Sequence, residues 1–90
     1  MLEIVASNRF RKDLKTAARR GYNFRLLDEI VGKLSRREPL PEKNRDHALS
    51  GDFAGYRECH IAPDWLLIYR VEEEALVLYL MRTGTHSDLF

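Results

Sequence analysis

The sequence predicts an α+β fold, in which a hairpin of two helices covers one face of a mainly antiparallel sheet. Three observations support this prediction: helical spacing of apolar residues in the first half, two prolines near residue 40, and short β-type segments after them. The chain has 90 residues, of which 44% are hydrophobic and 32% are charged. That is enough for one domain, residues 1–90, with a modest core.

The first half is predicted to form a short strand and two helices. Leu2–Ala6 is mostly apolar and is predicted as the strand, and Ser7 stands where a helix N-cap is expected. The first helix is expected to end near Gly21, and the second must end before Pro39, because proline cannot continue a helix. Apolar residues with helical spacing predict the buried faces: Phe10, Leu14, Ala17 and Ala18 in the first helix, then Leu26, Leu27, Ile30, Val31 and Leu34.

The second half is predicted to form three strands joined by polar turns. The strands are Tyr56–Ile61, Trp65–Val71 and Ala75–Arg82. The turns are Ala62-Pro63-Asp64 and Glu72-Glu73-Glu74.

Alternation along the first of these strands separates two sets of residues. Cys59 is expected on the inner face and in the core, whereas Glu58 and His60 lie on the opposite, polar face. The last two strands are nearly continuous in apolar residues, so the outer face of the sheet also needs a cover. Loops and the C-terminal tail would provide one, and so would a ligand, an RNA or a protein partner.

Charge is distributed unevenly along the chain, although the net charge is only +1. Residues 1–45 contain 12 Lys and Arg against 6 Asp and Glu, whereas residues 46–90 contain 3 against 8. A polyanion or acidic protein partner explains the basic half, and a solvated helix face explains it equally well.

Several classes of protein are not expected from this sequence. The longest stretch without a charged residue or histidine is seven residues, Ala75–Met81, far below the roughly 20 needed to cross a bilayer. No export signal is expected, so we predict a cytoplasmic protein. Cys59 is the only cysteine, which leaves no intrachain disulfide, and no nucleotide-binding glycine motif is present.

Three histidines are the candidates for chemistry: His47, His60 and His86. Their spacing matches no zinc motif, so neither a metal nor another cofactor is predicted. An isolated histidine near a turn is commonly a surface or hydrogen-bonding residue. Imidazole can nevertheless both take and give a proton near neutral pH, and RNA carries its own nucleophile in the 2′-OH group. The three histidines therefore fit metal-free cleavage of RNA.

Other residues of the second half would complete such a site. Asp64 adds a carboxylate, and Arg57 and Arg82 are candidate phosphate contacts that could equally form structural ion pairs. Trp65 and Phe90 could stack on unpaired bases, and both could instead be core residues.

The second half contains four motifs in fixed order: Arg45–Gly51, Gly55–Ile61, Pro63–Tyr69 and Arg82–Phe90. They resemble the YafQ family of toxins, part of the RelE/ParE superfamily of bacterial type II toxin-antitoxin systems. The strand and two helices before them agree with this family, so the resemblance covers essentially the whole chain. The chain departs from the family pattern at Ala48, Phe53 and Glu58, where the family commonly has proline, tryptophan and often aspartate.

The resemblance implies a RelE-like fold and a ribosome-dependent endoribonuclease that cuts mRNA in the decoding site and stops translation. Its chemistry would be attack of the 2′-OH on the adjacent phosphodiester, leaving a 2′,3′-cyclic phosphate and a 5′-OH. In the implied site, His86 is the general acid and His60 and Asp64 position or deprotonate the 2′-OH. His47 steadies the phosphate or shares the base role. The implied RNA-contacting residues are Arg57, Glu58, Trp65, Arg82 and Phe90.

The resemblance also implies two partners. One is a cognate antitoxin, which neutralises the toxin in a hetero-oligomeric complex expected to bind operator DNA. The other is the ribosome with mRNA in its decoding site. Two alternatives are open: a ParE-like toxin that acts on DNA gyrase, and a non-catalytic RNA-binding or co-repressor module.

Overall fold

Three α-helices and a five-stranded sheet make up the computed structural model, which describes residues 1–90. The helices are α1 (Asn8–Arg19), α2 (Phe24–Ser35) and α3 (His86–Leu89). The strands are β1 (Glu3–Ala6), β2 (His47–Ala48), β3 (Arg57–Ala62), β4 (Trp65–Glu72) and β5 (Val77–Gly84). None of the helices combines the length and the apolar character needed to span a membrane.

The predicted α+β architecture is confirmed. The strand order is β1-β5-β4-β3-β2, and every neighbouring pair is antiparallel except β1 and β5, which are parallel. Ser7 is the predicted N-cap of α1: its Oγ accepts a hydrogen bond from the Phe10 N–H at 2.9 Å. The same hydroxyl donates to the Met81 carbonyl at 2.6 Å, so this cap also fixes α1 to β5.

Helices α1 and α2 pack on one face of the sheet and form the main core. Most of the residues with helical spacing are buried there, but Ala18 is exposed and Leu26 is 37% exposed. Those two core predictions are wrong. The main core joins Phe10, Ala17, Leu27, Ile30 and Leu34 of the helices to Cys59, Ile61, Trp65, Leu67, Tyr69, Leu78 and Leu80 of the sheet.

The last strand lies two residues later than predicted. β5 begins at Val77 because Ala75 and Leu76 belong to the turn, where Leu76 has a φ of 55°. It continues to Gly84 because Thr83 and Gly84 pair with β4. The periodicity of the sequence predicts neither β2 nor α3, since two and four residues are too few to show a pattern.

The outer face of the sheet carries a second, smaller apolar cluster. Leu66, Ile68 and Leu89 are buried in it, and residues of the loop before β3 pack against them. The C-terminal tail and a loop therefore cover this face, which is one of the covers the sequence predicts. Glu58 lies on this face as expected but is only 4% exposed, so the face is not the polar surface that strand alternation suggests.

Trp65 and Cys59 belong to the main core. Trp65 is 3% exposed, and its ring packs against those of Tyr22 at 4.9 Å and Phe24 at 6.1 Å. No face of the indole is available to stack on a base, so the core role is the one that the structure supports. Burial raises the pKa of the Cys59 thiol well above its ordinary range and keeps it neutral, as its core position predicts.

Trp65→Ala is expected to lower the free energy of unfolding by about 3–5 kcal/mol, because it empties a large site between the helix pair and the sheet. Urea unfolding of the two proteins measures this difference. Phe90→Ala is the matched control, since Phe90 is 59% exposed and its removal should cost about 1 kcal/mol or less. Similar losses for the two variants would contradict the core role of Trp65.

Candidate active site

The three histidines and Glu58 come together on the outer face of the sheet. His47 on β2 is paired directly with Glu58 on β3, and His60 follows two residues later on the same face of β3. The Nε2 atoms of His47 and His60 lie 3.7 and 4.0 Å from the same Glu58 Oε1. His86 begins α3, and its ring centroid is 6.2 Å from that of His60. Residues far apart in sequence therefore form one cluster of acid-base groups.

Backbone carbonyls fix the orientation of two of these imidazoles. Nδ1 of His47 lies 2.8 Å from the Arg45 carbonyl, and Nδ1 of His60 lies 3.3 Å from the Pro63 carbonyl. Because a carbonyl oxygen only accepts, we infer that each Nδ1 carries a proton and donates it. In the neutral ring Nε2 then keeps a free lone pair, which is the form that a general base requires.

Glu58 is buried next to the two imidazoles. A buried carboxylate is poorly placed to meet RNA and would repel a phosphate. It does stabilise the imidazolium that forms when either Nε2 takes a proton, because opposite charges attract strongly in a buried site. The geometry therefore supports Glu58 as a positioning residue that acts through His47 and His60, and not as an RNA contact.

Asp64 and a capping box hold the start of α3. Asp64 Oδ1 accepts a hydrogen bond from the His86 backbone N–H at 3.3 Å. Thr85 Oγ1 accepts from the Asp88 N–H at 3.2 Å, and Asp88 Oδ2 accepts from the Thr85 N–H at 2.9 Å. The Thr-x-x-Asp spacing is visible in the sequence and is the signal that could have predicted this helix.

A bidentate ion pair joins α3 to the end of α1. The Nη1 and Nη2 atoms of Arg20 donate to Asp88 Oδ2 and Oδ1 at 2.6 and 3.1 Å. The Arg20 guanidinium and the Thr85 N–H hold the pKa of Asp88 well below its ordinary range. Gly84 makes room for this carboxylate, since a Cβ there would lie 2.9 Å from Asp88 Oδ2. A helix of four residues is not stable alone, so these contacts decide where His86 stands.

Phe90 lies at the open side of the histidine cluster. Its ring centroid is 5.8 Å from that of His86 and 5.5 Å from that of Phe53. The exposed part of the ring leaves an aromatic surface beside His86, where a base could stack.

The two arginines predicted to contact phosphate are each paired with a carboxylate. Arg57 Nε donates to Asp46 Oδ1 at 3.2 Å, and the same oxygen accepts from the Tyr69 hydroxyl at 2.5 Å. Arg82 Nε and Nη2 donate to the two carboxylate oxygens of Asp13 at 2.9 and 3.1 Å. Of the two roles that the sequence leaves open for these arginines, the structure supports the structural ion pair.

Two cations that sequence reasoning missed line a cleft of about 520 Å³ beside His60. They are Lys43 and Arg45, and neither takes part in an ion pair. The signal that could have found them is the basic flank just before the Asp46-His47 motif.

Asp88→Asn is expected to lower the Tm by about 2–5 °C at neutral pH, because an amide cannot replace the ion pair with Arg20. Since the pKa of Asp88 is lowered in the folded state, its stabilisation is complete above the ordinary carboxyl pKa near 4 and declines as the pH falls below it. The Tm difference between wild type and variant should be constant from pH 5 to 8 and shrink below pH 4. Thermal unfolding followed by circular dichroism measures this Tm difference, and Asp52→Asn, at an exposed carboxylate, is the control. A Tm difference that is unchanged at pH 2 would contradict the stabilising role of the Arg20–Asp88 ion pair.

Sequence comparison relates the whole chain to one group of toxins. The family model described as a bacterial toxin of type II toxin-antitoxin system, YafQ, matches residues 2–90. The mRNA interferase toxin YafQ of Escherichia coli K12 is 38% identical over 89 residues, which cover 98% of this chain and 95% of that protein.

Solved structures give the same result. A metal-bound toxin from Helicobacter pylori superposes with a TM-score of 0.95 at 43% identity, covering 100% of both chains. A chain of the E. coli DinJ-YafQ toxin-antitoxin complex superposes with a TM-score of 0.88 at 38% identity, covering 99% of this chain and 97% of that one. In the present structure no three His, Cys, Asp or Glu side chains are grouped to hold a metal ion. The agreement in sequence and in fold over nearly every residue shows that the chain belongs to the YafQ family of bacterial type II toxin-antitoxin toxins.

Proposed function

We propose that this protein is an mRNA interferase toxin, a ribosome-dependent endoribonuclease that cleaves mRNA in the decoding site and stops translation. One observation carries the proposal: the Nε2 atoms of His47 and His60 share a buried carboxylate, that of Glu58, beside the exposed His86. A toxin that only binds its target needs no such set of proton donors and acceptors. The E. coli relative described as an mRNA interferase supports the same activity.

The proposed reaction is a transesterification within the RNA chain, with its proton transfers carried by side chains. Nε2 of His60 takes the proton of the 2′-OH, and the 2′-oxygen forms a bond to the adjacent phosphorus. The bond between that phosphorus and the 5′-oxygen breaks, and protonated His86 gives its proton to the leaving oxygen. The products are a 2′,3′-cyclic phosphate and a 5′-OH, and the base and the acid are close neighbours, with ring centroids 6.2 Å apart.

The remaining residues have supporting roles in this proposal. Glu58 stabilises the imidazolium that forms on His60. His47, whose side chain is half exposed, steadies the phosphate or shares the base role. One carboxylate oxygen of Asp64 positions His86 by accepting a hydrogen bond from the His86 backbone N–H, and the second oxygen is available to the 2′-OH. Phe90 stacks on a base.

We also propose a ribosomal contact, an antitoxin partner and a cytoplasmic location. The exposed face of α1 carries Arg11, Lys12, Lys15 and Arg19, none of which forms an ion pair. Contact of this face with ribosomal RNA would weaken steeply with salt. An acidic segment of a cognate antitoxin would neutralise the same face or block the histidine cluster, in a complex that binds operator DNA. The DinJ-YafQ toxin-antitoxin complex of E. coli supports such a partner.

His86→Ala is expected to slow cleavage of mRNA on programmed ribosomes by about 10²–10⁴-fold, because a general acid contributes that much to the rate. Mapping of 5′ ends with and without a chelator measures the rate and tests whether a metal takes part. Cleavage that needs ribosomes and survives the chelator supports the proposal.

The wild-type protein must be shown to be folded in the same assay. If a folded wild type does not cleave, the nuclease proposal is wrong, and inhibition of DNA gyrase becomes the next assay. If His86→Ala cleaves at nearly the wild-type rate, the general-acid role is wrong while the activity stands.

Glu58→Gln should slow cleavage at least about tenfold without loss of stability, because it removes the charge that stabilises the imidazolium but keeps the shape of the side chain. Glu74→Gln is the matched control, since Glu74 is exposed and forms no ion pair. The quantity to compare is the single-turnover rate of mRNA cleavage by the wild type, Glu58→Gln and Glu74→Gln. Equal rates for the two variants would rule out the role of Glu58.

A further inference from the structure

We propose that the cleft beside His60 binds the mRNA nucleotide next to the scissile phosphate, with Lys43 and Arg45 as its phosphate contacts. This inference rests on the proposed nuclease function and names the residues that hold the substrate. It replaces Arg57 and Arg82, which the sequence suggests for this role.

The cations around the histidines differ in whether a carboxylate already neutralises them. Arg57 and Arg82 are held by Asp46 and Asp13, so a phosphate would have to compete with those carboxylates for them. Lys43 and Arg45 are exposed and belong to no ion pair, so their charges are free to meet an anion. A phosphate that approaches His60 from the side of the cleft therefore meets two cations, Lys43 and Arg45, that no carboxylate neutralises.

Backbone contacts hold the segment that carries these two cations in place. Asn44 lies between them and is buried, and its Nδ2 donates to the His60 carbonyl at 2.7 Å. Arg45 has a φ of 46°, a left-handed conformation that costs roughly 1–2 kcal/mol in a residue other than glycine. The Arg45 carbonyl in turn orients the His47 ring. This short segment is thus tied to the His60 backbone and to the His47 ring, so the cations and the acid-base groups are held together.

Part of the cleft lining is apolar. Besides His60 and the two cations, the cleft is lined by Leu26, Ile61, Ala62 and Pro63. Leu26 has the spacing of a core residue, and its exposure is explained if it forms a floor for a base or ribose. The volume of about 520 Å³ lies within the range of about 300–1,000 Å³ that is usual for small-ligand sites.

The same geometry argues against a peptide strand as the occupant. β2 pairs only with Arg57 and Glu58, so the outer edge of β3 is open next to the cleft. A strand added there would need the His60 carbonyl, which already accepts from Asn44. A nucleotide needs no backbone acceptor, only the apolar floor and the two cations.

Kinetics on programmed ribosomes test the proposal with Lys43→Gln and Arg45→Gln. Each variant should raise KM about tenfold and leave kcat within about twofold. The reason is that the variant loses a contact made equally in the ground state and the transition state, whereas the acid-base groups are unchanged. The dependence of log(kcat/KM) on log salt should become shallower by roughly 0.7–1 for each variant. Arg25→Gln is the matched control: Arg25 is exposed and unpaired but lines none of the clefts, and its kinetics should match the wild type.

Binding without cleavage separates this proposal from the nuclease function. A fluorescent single-stranded RNA with 2′-O-methyl groups has no nucleophile, and its anisotropy at low salt reports affinity. Wild type and Arg25→Gln should bind alike, and the two cleft variants at least about fivefold more weakly. If the wild type shows this binding pattern but does not cleave, the proposal that the cleft binds RNA stands and the proposal of nuclease function is refuted.

Three results would overturn the cleft proposal. The first is a wild type that cleaves while both cleft variants behave like Arg25→Gln. The second is a wild type that does not bind the RNA and does not cleave, which refutes both proposals. The third is loss of antitoxin affinity with unchanged RNA binding and cleavage, which would make the cleft a protein-docking site.

Discussion

The central strand β4 has to be buried on both faces, and most of the structure follows from this requirement. Trp65, Leu67 and Tyr69 point toward α1 and α2, while Leu66 and Ile68 point the other way. Full burial of one such side chain is worth about 1.5–3 kcal/mol, so an uncovered outer face would be costly. The helix pair can cover only one face, and the other needs additional parts of the chain.

The segments that cover the outer face are the ones that carry the histidines. Leu49 and Phe53 follow His47 in the loop before β3, and Leu89 lies in α3 with His86. Hydrophobic burial therefore brings the acid-base groups to His60. Final placement depends on polar contacts, because α3 is held by the Asp64 carboxylate on one side and by Arg20 on the other.

The charged side chains form two sets: those in ion pairs that join elements of the fold, and those that lie next to the histidines or the cleft. Asp13 and Asp46 neutralise arginines and tie elements together, so those arginines are structural. Glu58 faces imidazoles, where we propose that it supports proton transfer, and Lys43 and Arg45 belong to no ion pair and are the proposed contacts of the ligand. Charged residues of the same type can therefore either stabilise the fold or be available to bind substrate, depending on whether the fold places an opposite charge beside them. A charge count along the sequence cannot make this distinction.

The sequence by itself determined the class of fold, the two long helices, the three long strands and the family. These depend on local periodicity, on turn residues and on motif order, all of which are written along the chain. It also gave the three histidines as candidates for chemistry, because their motifs are local, and the structure brings them together. Only the tertiary structure decided the burial of Trp65 and Glu58 and the ion pairs of Arg57 and Arg82, since both depend on neighbours distant in sequence. Arg82 meets Asp13 across 69 positions and Arg20 meets Asp88 across 68, and no local pattern encodes such contacts.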